Sequence, residues 1–445
     1  MIIALQYILT LFFGYKILKT NAWERFMWYL SGITLVSTLF NFSNVATLLQ
    51  GHIIFVMIFL VSLFFEGKLK LKYIKQCPLF VPLLLLFISY LSIGLFDDRI
   101  NPLMGLYRGV YNYLIMYGAL FLGWLSTYGD IDYNNFTKRL INVSLIFTIY
   151  GVFTYIIKSN PVVDALGYAD RFVFQNAVVS FRAFLVSGFL AESGVYGLSC
   201  FLFFMLISVF GSHNRKERML AMFLLCINLF LTGTRSIMIP SLIGFFIYII
   251  FGLKVNQRFR VVVLGIAMYV IITLFFPTTI GGVIGELIDA MLDTILPSGS
   301  GGADLGGSTV DARDMQITAA FTKYLPQNLY FGHGFNYYIE NILVWNNGVN
   351  DEELLGMESY LCYLGVEYGL INILTVIIFY VWLIYYIIKN RFVDKNMYIL
   401  LLCVVVTYII YLVTAFMGDS WLYAMPIIGL LIGIVEQKKK SSVNL

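Results

Sequence analysis

Three arginines stand where a charged side chain can act on an anion. Arg182 precedes an apolar run, Arg235 lies in the junction TGTRS between two apolar runs, and Arg313 starts a predicted loop helix. A guanidinium is always charged and presents five donors in a planar fork, which suits a pyrophosphate. Each arginine also has a structural interpretation, in which it snorkels to the surface or pairs with an acid. This alternative is weakest for Arg235, because so short a junction holds the charge close to hydrocarbon.

Acidic and imidazole side chains near the same runs are candidates for moving a proton. Glu358 opens the segment ESYLCYLGVEYGL, Glu192 precedes a long apolar run, and His333 lies between two glycines in YFGHG. A carboxylate or an imidazole beside a hydroxyl can act as a general base. Glu358 can instead cap a helix N-terminus, where the dipole favours it, while His333 and Asp419 can be polar turn residues. Glu367 lies nine residues after Glu358. On a helix this is a rotation of about 900°, so the two side chains point to opposite faces and at most one of them faces a given site.

Metal, nucleotide and disulfide chemistry are not indicated by the sequence. The three histidines are far apart, and the five cysteines are scattered without a CxxC pair. Asp130-Ile-Asp132 has the spacing of a metal-binding DxD, but its short loop is better interpreted as solvated. No glycine-rich phosphate loop, HExxH or nucleophile elbow occurs. We therefore expect no cofactor and no metal.

The elements that hold these residues are predicted to be membrane-spanning helices. Of the 445 residues, 60% are hydrophobic and 12% are charged, against roughly 25% charged in a soluble domain. Disorder, a fibrous repeat and a soluble enzyme with a polar shell are thereby excluded. Apolar runs of about 18 to 25 residues predict an all-α polytopic membrane protein with about thirteen transmembrane helices. The segments lie near 2–17, 26–43, 47–65, 79–96, 104–125, 139–157, 194–211, 219–233, 236–252, 261–277, 359–388, 397–415 and 420–436.

The charges divide between two sets of connections. One set holds 21 of the 29 basic residues, and the other holds the remaining eight together with 18 of the 25 acids. The positive-inside rule puts the first set in the cytoplasm. The chain is then predicted to begin outside and end inside, with the candidate chemistry on the outer face.

Five stretches follow from this arrangement. Residues 1–158, 194–277 and 357–445 carry the spans, and residues 159–193 and 278–356 are outer loops. The second loop is too long for a simple connection, so we expect it to contain structure of its own. Its expected parts are an amphipathic helix at 283–295, a glycine-rich linker at 298–308, a second helix at 311–325 and a turn at 332–334.

The order of these motifs resembles the O-antigen polymerase (Wzy-type) and O-antigen ligase superfamily. The resemblance is carried by Arg182 ahead of Glu192-Ser193, the TGTRS junction, an arginine opening a loop helix, YFGHG, and then ESYLCYLGVEYGL. It covers roughly residues 180–375, with the earlier spans similar only in number and hydropathy. Ligases carry a His-Asn at the loop exit where this chain has Glu358-Ser359, so a base role for Glu358 would be a substitution and the polymerase is favoured.

The resemblance implies a glycosyltransferase at the outer face of the bacterial cytoplasmic membrane, working on lipopolysaccharide O-antigen or capsule. Its substrate would be an undecaprenyl-pyrophosphate-linked oligosaccharide in membrane lipid, and it would need neither nucleotide nor metal. A chain-length regulator is a candidate partner, and no nucleic acid is expected. The expected catalytic residues are Glu358, Arg235 and Arg313. The expected contacts to pyrophosphate or glycan are Arg182, Glu192, His333 and Tyr337. The aromatic residues that can stack on sugars, or form the loop's own small core, are Tyr330, Tyr337, Tyr338 and Trp345.

Two other functions stay open at this point. A ligase would move a finished glycan to a lipid A core, and a lipid-linked oligosaccharide flippase would also have about a dozen spans. A transporter usually has internal repeats, broken helices or charges at mid-membrane depth. The apolar segments here are nearly free of charge at their centres, which favours chemistry at the surface.

Overall fold

The computed structural model describes residues 1–38, 40, 51–129, 132–166, 186–190, 192–210, 214–259, 309–342, 352–354, 357, 359–415 and 418–443. These ranges are helical and contain no strand. The all-α prediction is confirmed for this part of the chain.

The chain runs through helices joined mostly by short turns. In chain order they are α1 (Ile2–Lys19), α2 (Ala22–Leu35), α3 (Gly51–Phe65), α4 (Leu71–Lys75), α5 (Phe80–Leu95), α6 (Pro102–Tyr113), α7 (Leu120–Ser126), α8 (Tyr133–Ile157), α9 (Pro161–Ala165), α10 (Ser193–Phe210), α11 (Arg215–Leu231), α12 (Arg235–Ile247), α13 (Thr309–Ala319), α14 (Tyr360–Tyr363), α15 (Gly369–Lys389), α16 (Lys395–Thr414) and α17 (Trp421–Val443). Wider π-helical turns lie at Leu114–Gly118, Tyr248–Gly252, Ala320–Tyr324, Tyr338–Ile342 and Leu364–Tyr368.

Six helices among the described residues are long and apolar enough to cross a membrane. They are Ile2–Lys19, Tyr133–Ile157, Ser193–Phe210, Tyr360–Lys389, Lys395–Thr414 and Trp421–Ser441. Shorter apolar helices lie at His52–Phe65, Phe80–Leu95 and Ser236–Gly252. Each predicted segment contains a helical stretch, except 261–277, which lies outside the described residues, as do 41–43 and 47–50 of the second and third segments. The architecture fits a membrane protein, and the number of about thirteen spans stays a prediction.

Helix α17 lies at the centre of the bundle, because its apolar side chains are buried along most of its length. It packs closely against α7. A Cβ atom on Gly123 would lie 1.8 Å from the Pro426 carbonyl oxygen, and one on Gly429 would lie 2.0 Å from the Leu120 oxygen. Neither position has room for a side chain, so glycine lets the two backbones approach as in other membrane helix pairs.

One end of the bundle holds connections with Arg25, Glu66, Arg139 and Lys438, and we call it the basic end. Arg25 is fully buried there, donates to the carbonyl oxygens of Ile17 (3.0 Å) and Thr20 (2.8 Å), and pairs with Glu66. A cation at the C-terminus of α1 is favoured by the helix dipole. Further ion pairs at this end join Glu24 to Arg139 and Asp394 to Lys438. These connections belong to the set that the charge pattern assigns to the cytoplasm.

The opposite end holds the turns with Asp97, Glu192 and Asp419, and we call it the acidic end. Arg99, in the turn between α5 and α6, pairs with Glu340 of the segment 309–342 at 3.1 Å. Thr414, at the end of α16, donates to the Ser236 carbonyl oxygen near the start of α12 at 3.0 Å. The described connections at this end belong to the set predicted to lie outside.

The segment 309–342 packs a small core of its own against the start of the following span. The predicted second helix at 311–325 is confirmed as α13 and the π-helical turn that follows it, while 283–295 and 298–308 lie outside the described residues. Tyr338 lies inside the core, Tyr337 packs at its edge, Tyr330 is exposed, and Trp345 lies outside the described residues. The core consists of Ala319, Ala320, Tyr324, Tyr338, Ile342, Leu354, Met357, Cys362 and Val366.

Candidate functional site

Two motifs that lie apart in the sequence join at the acidic end. The loop YFGHG (330–334) runs beside the segment LGVEYGL (364–370), and the two backbones exchange hydrogen bonds along their length. The donor nitrogens and acceptor oxygens are His333 to Val366 (3.1 Å), Gly334 to Glu367 (3.0 Å), Leu370 to Leu329 (2.8 Å) and Ile371 to Tyr330 (3.2 Å). The segment 309–342 is therefore held on the first turns of the helix Tyr360–Lys389 by main-chain contacts.

Two glycines make this close contact possible. Gly332 has φ +68° and Gly369 has φ +71°, in the left-handed region that disfavours other residues. A Cβ atom on Gly332 would lie 2.3 Å from the Glu367 carbonyl oxygen, and one on Gly369 would lie 2.3 Å from the Gly332 nitrogen. The left-handed residue Gly369 also separates α14 and the turn Leu364–Tyr368 from α15, which accounts for an apolar run longer than one span needs.

Glu367 is buried below this contact and holds the loop in place. Its carboxylate accepts hydrogen bonds from the backbone nitrogens of Asn336 (3.2 Å) and Tyr338 (3.0 Å). The side chain is 3% exposed. A buried carboxylate needs such donors, so Glu367 serves as a structural anchor for the turn 334–338. Glu358 lies outside the described residues.

An ion cluster fastens the same loop to the turn between α5 and α6. Arg99 binds Asp97 through two nitrogens (2.9 and 2.8 Å) and also reaches Glu340 and the Phe335 carbonyl oxygen (both 3.1 Å). Arg108 donates to Glu340 (3.2 Å) and to Phe335 (3.3 Å). Two arginines and two acids balance, so the cluster offers no surplus charge to an anion. This pairing was not predicted from the sequence, where its local signal is the charged turn DDR between two apolar runs.

His333 and Tyr337 are engaged with other parts of the protein. The His333 imidazole donates from Nε2 to the Tyr324 carbonyl oxygen (3.2 Å) and stacks on the Tyr337 ring at 4.4 Å. The Arg99 guanidinium lies over the Tyr337 ring at 5.1 Å. Burial lowers the pKa of His333 below its usual value and the Arg99 charge adds to this, while the hydrogen bond to the Tyr324 carbonyl opposes it. The hydrogen bond and the ring contact hold the imidazole as a packed turn residue.

A second group forms around the last turn of α16. The Ser359 hydroxyl, next to Glu358, donates to the Val413 carbonyl oxygen at 2.6 Å. Thr414 donates to the carbonyl oxygen of Ser236, the residue after Arg235, at 3.0 Å. Ser359 and Ser236 are thus bonded to adjacent residues of one helix end.

The N-termini of α10 and α12 meet beside this helix end. The Ser193 and Thr234 hydroxyls, which lie 2.7 Å apart, join the first residue of α10 to the N-cap of α12. Both helices begin here, so their positive dipole ends point to the same place, and such ends attract phosphate and other anions. Glu192 immediately precedes α10, is exposed, and lies within electrostatic range of Tyr363 on α14.

The remaining predicted site residues are described only in part. The backbone of Arg313 lies in α13, whose far end packs on α14 and the turn after it through Ala319, Ala320 and Cys362. The side chains of Arg235 and Arg313, and the whole of Arg182, lie outside the described residues. The structure therefore brings Glu192 to the start of α12, where the Arg235 backbone lies, and it holds His333 and Tyr337 in a neighbouring packed loop. Glu358 lies outside the described residues.

Within the described ranges, no group of three or more His, Cys, Asp or Glu side chains is arranged to hold a metal ion. Comparison with models of known protein families gives no match, and comparison with curated proteins gives no significant relative. The case for a function therefore rests on the motifs and on the geometry at the acidic end.

Proposed function

We propose that the protein is a polysaccharide polymerase of the cytoplasmic membrane, acting at its acidic end on the outer face. It transfers a growing glycan from undecaprenyl pyrophosphate onto the non-reducing end of another lipid-linked repeat unit. The product is an O-antigen or capsule chain, and neither a nucleotide nor a metal takes part.

The observation that supports this proposal most directly is the pair of helix N-termini joined by Ser193 and Thr234. Glu192 and Arg235 each begin or border one of these helices. Ser359, next to Glu358, and Thr414 bond at the same helix end. A positive site of this kind, at the end of apolar helices, suits a pyrophosphate whose lipid tail stays in the bilayer.

The chemistry needs little acid catalysis, because pyrophosphate is a good leaving group. Arg235, Arg313 and the two helix ends would stabilise the negative charge that grows on it as the bond to the anomeric carbon breaks. The acceptor hydroxyl would attack that carbon directly, which inverts its configuration. A nearby carboxylate, with Glu358 as the candidate from the sequence, would take the hydroxyl proton.

The lipid-linked glycans that accumulate when the gene is deleted test this function. Single repeat units on the carrier, exposed on the outer face, are the expected result. Full-length polymer on the carrier would identify a ligase, and repeat units retained on the inner face would identify a flippase. Either of these outcomes would overturn the proposal.

A further inference from the structure

The Trp28 indole of α2 carries two cations at the basic end of the bundle. The Lys16 ammonium of α1 lies 5.4 Å from the ring centroid, and the Arg139 guanidinium of α8 lies 4.8 Å from it. Helices α1 and α8 both pack on α2. Phe12 of α1 completes the group, because its ring meets the indole edge-on at 5.6 Å and also lies 5.6 Å from the Lys16 nitrogen. We call these four residues the Trp28 cluster.

The Trp28 cluster holds more positive charge than the neighbouring acid neutralises. Arg139 donates to Glu24 at 3.0 Å and to the Asn135 side chain at 3.2 Å. Within the described part of the chain, the Lys16 ammonium has two rings as partners and no acid. Two cations and one acid leave one positive charge, and both cations are partly exposed. The Trp28 cluster can therefore accept an anion, unlike the balanced ion cluster at the acidic end.

Two N–H groups of the Trp28 cluster also lack an acceptor. The buried Nη1 of Arg139 and the buried Nε1 of Trp28 have no hydrogen-bond partner in the described ranges, whereas buried donors are normally paired. Arg25, at the same end, shows the contrast, because all three of its guanidinium nitrogens are bonded. The Trp28 cluster is thus not a closed structural network. A phosphate oxygen beside the guanidinium would supply such an acceptor, in a bond that charge strengthens.

Exposed apolar side chains continue from both cations toward the other end of the bundle. Those on α1 share a helix face with Lys16, and those on α8 follow Arg139 at intervals of seven residues. They are Leu5, Ile8 and Phe12 on α1, and Ile146 and Phe153 on α8. In a membrane, both faces would contact acyl chains. A pair of cations at the end of two apolar helix faces suits an amphiphilic anion better than a soluble one.

We propose that the Trp28 cluster binds the headgroup phosphate of an anionic phospholipid in the inner leaflet. Lys16 and Arg139 contact the phosphate, and the acyl chains lie along the exposed faces of α1 and α8. The connections that carry these cations belong to the set assigned to the cytoplasm, and basic sites between helices on that side bind anionic lipid headgroups. The Trp28 cluster lies at the opposite end of the bundle from the proposed catalytic site, so this inference does not depend on the proposed function.

Lipid binding is measured on the purified full-length protein in detergent, after its own lipids have been removed. Phosphatidylglycerol and phosphatidylcholine with the same acyl chains are titrated separately, and bound lipid is counted by native mass spectrometry. Wild-type protein should bind phosphatidylglycerol about fivefold or more tightly than phosphatidylcholine, which is the effect expected of one cation near an anionic headgroup.

Variants of one lysine locate the site. Lys16→Gln should lose the preference for phosphatidylglycerol without changing the affinity for phosphatidylcholine, and Lys16→Arg should keep the preference because the charge remains. Lys395→Gln is the matched control, at an exposed lysine of the basic end outside the Trp28 cluster, and it should behave as wild type. If Lys16→Gln does not accumulate in the membrane, Lys16→Met decides, because it keeps the apolar contact with Phe12 and Trp28 and removes the charge.

Three results would overturn the proposal. The first is equal binding of the two lipids by wild-type protein. The second is a preference that survives in Lys16→Gln, or that falls equally in Lys395→Gln, because general surface charge would then explain it. The third is displacement of the bound lipid by an equal concentration of inorganic phosphate, which would assign the site to a soluble anion.

Discussion

The Ser193 and Thr234 hydroxyls lie 2.7 Å apart and tie the first residue of α10 to the N-cap of α12. The contact joins parts of the chain separated by 41 residues. It sets two positive helix ends side by side at the end of the bundle where the acids and the packed segment 309–342 also lie.

Arg235 and Arg313 are expected to act on the leaving pyrophosphate. Alanine at either position should lower transfer by about 100- to 1000-fold, because a charged donor to the transition state is lost. Lysine at either position should restore little of the transfer rate, because its ammonium group cannot form the two parallel hydrogen bonds of a guanidinium. Rates are measured on purified protein, with membrane abundance measured in parallel.

Arg391→Ala supplies a matched control for these arginines. Arg391 lies in the exposed turn between α15 and α16, at the basic end. The Arg391→Ala variant should leave the transfer rate unchanged. Near-normal polymer from the Arg235 and Arg313 alanine variants would remove both residues from the site.

Glu367→Gln should destabilise the protein without entering the chemistry. The carboxylate accepts from the nitrogens of both Asn336 and Tyr338, and an amide oxygen cannot replace both carboxylate oxygens. One buried donor would lose its acceptor, which costs about 1–3 kcal/mol. Thermal unfolding in detergent should detect this loss, whereas the exposed Glu353→Gln should shift stability by less than about 0.5 kcal/mol. Equal unfolding temperatures for the two variants would contradict the anchor role.

His333 should make stability depend on pH in a known direction. Its pKa is lowered in the folded protein by burial and by Arg99, so the unfolded chain binds the proton more readily. The contribution of His333 to folding stability is therefore fully present above its ordinary pKa of 6.5, and it declines as the pH falls from 6.5 toward the pKa of the folded protein. The difference in unfolding temperature between wild type and His333→Gln should shrink between pH 7 and pH 5. A difference that does not change with pH would contradict a lowered pKa for the half-buried His333 imidazole.

The orientation can be tested with introduced cysteines. Cysteine at Ser300 should react with an impermeant thiol reagent added to intact cells, and cysteine at Ser441, an exposed residue of the basic end, should not. Four of the native cysteines are buried, so a Cys226→Ser background leaves little competing reaction. Labelling at Ser441 in intact cells would reverse the proposed sidedness.

Much of the architecture could be predicted from the sequence alone. Hydropathy is a local property, so the apolar runs follow from neighbouring residues. The predicted runs 139–157 and 397–415 lie in α8 (Tyr133–Ile157) and α16 (Lys395–Thr414), although α8 begins six residues earlier than its run. The sorting of connections by charge is equally local, because it needs only the residues that flank each run. The second helix of the long loop could be predicted for the same reason.

The partners of polar residues were decided by tertiary structure. Arg25 belongs to the basic set that the charge pattern assigns to the cytoplasm, and in the structure it is buried at the end of α1 and pairs with Glu66. Arg99 and Glu340 are 241 residues apart in the chain and still form one cluster. Asp419, predicted to be a turn residue, lies in the turn Gly418–Ser420, which packs against α10. Such contacts depend on which helices become neighbours, and that choice is made by close backbone packing across the bundle, a long-range property that no local pattern encodes.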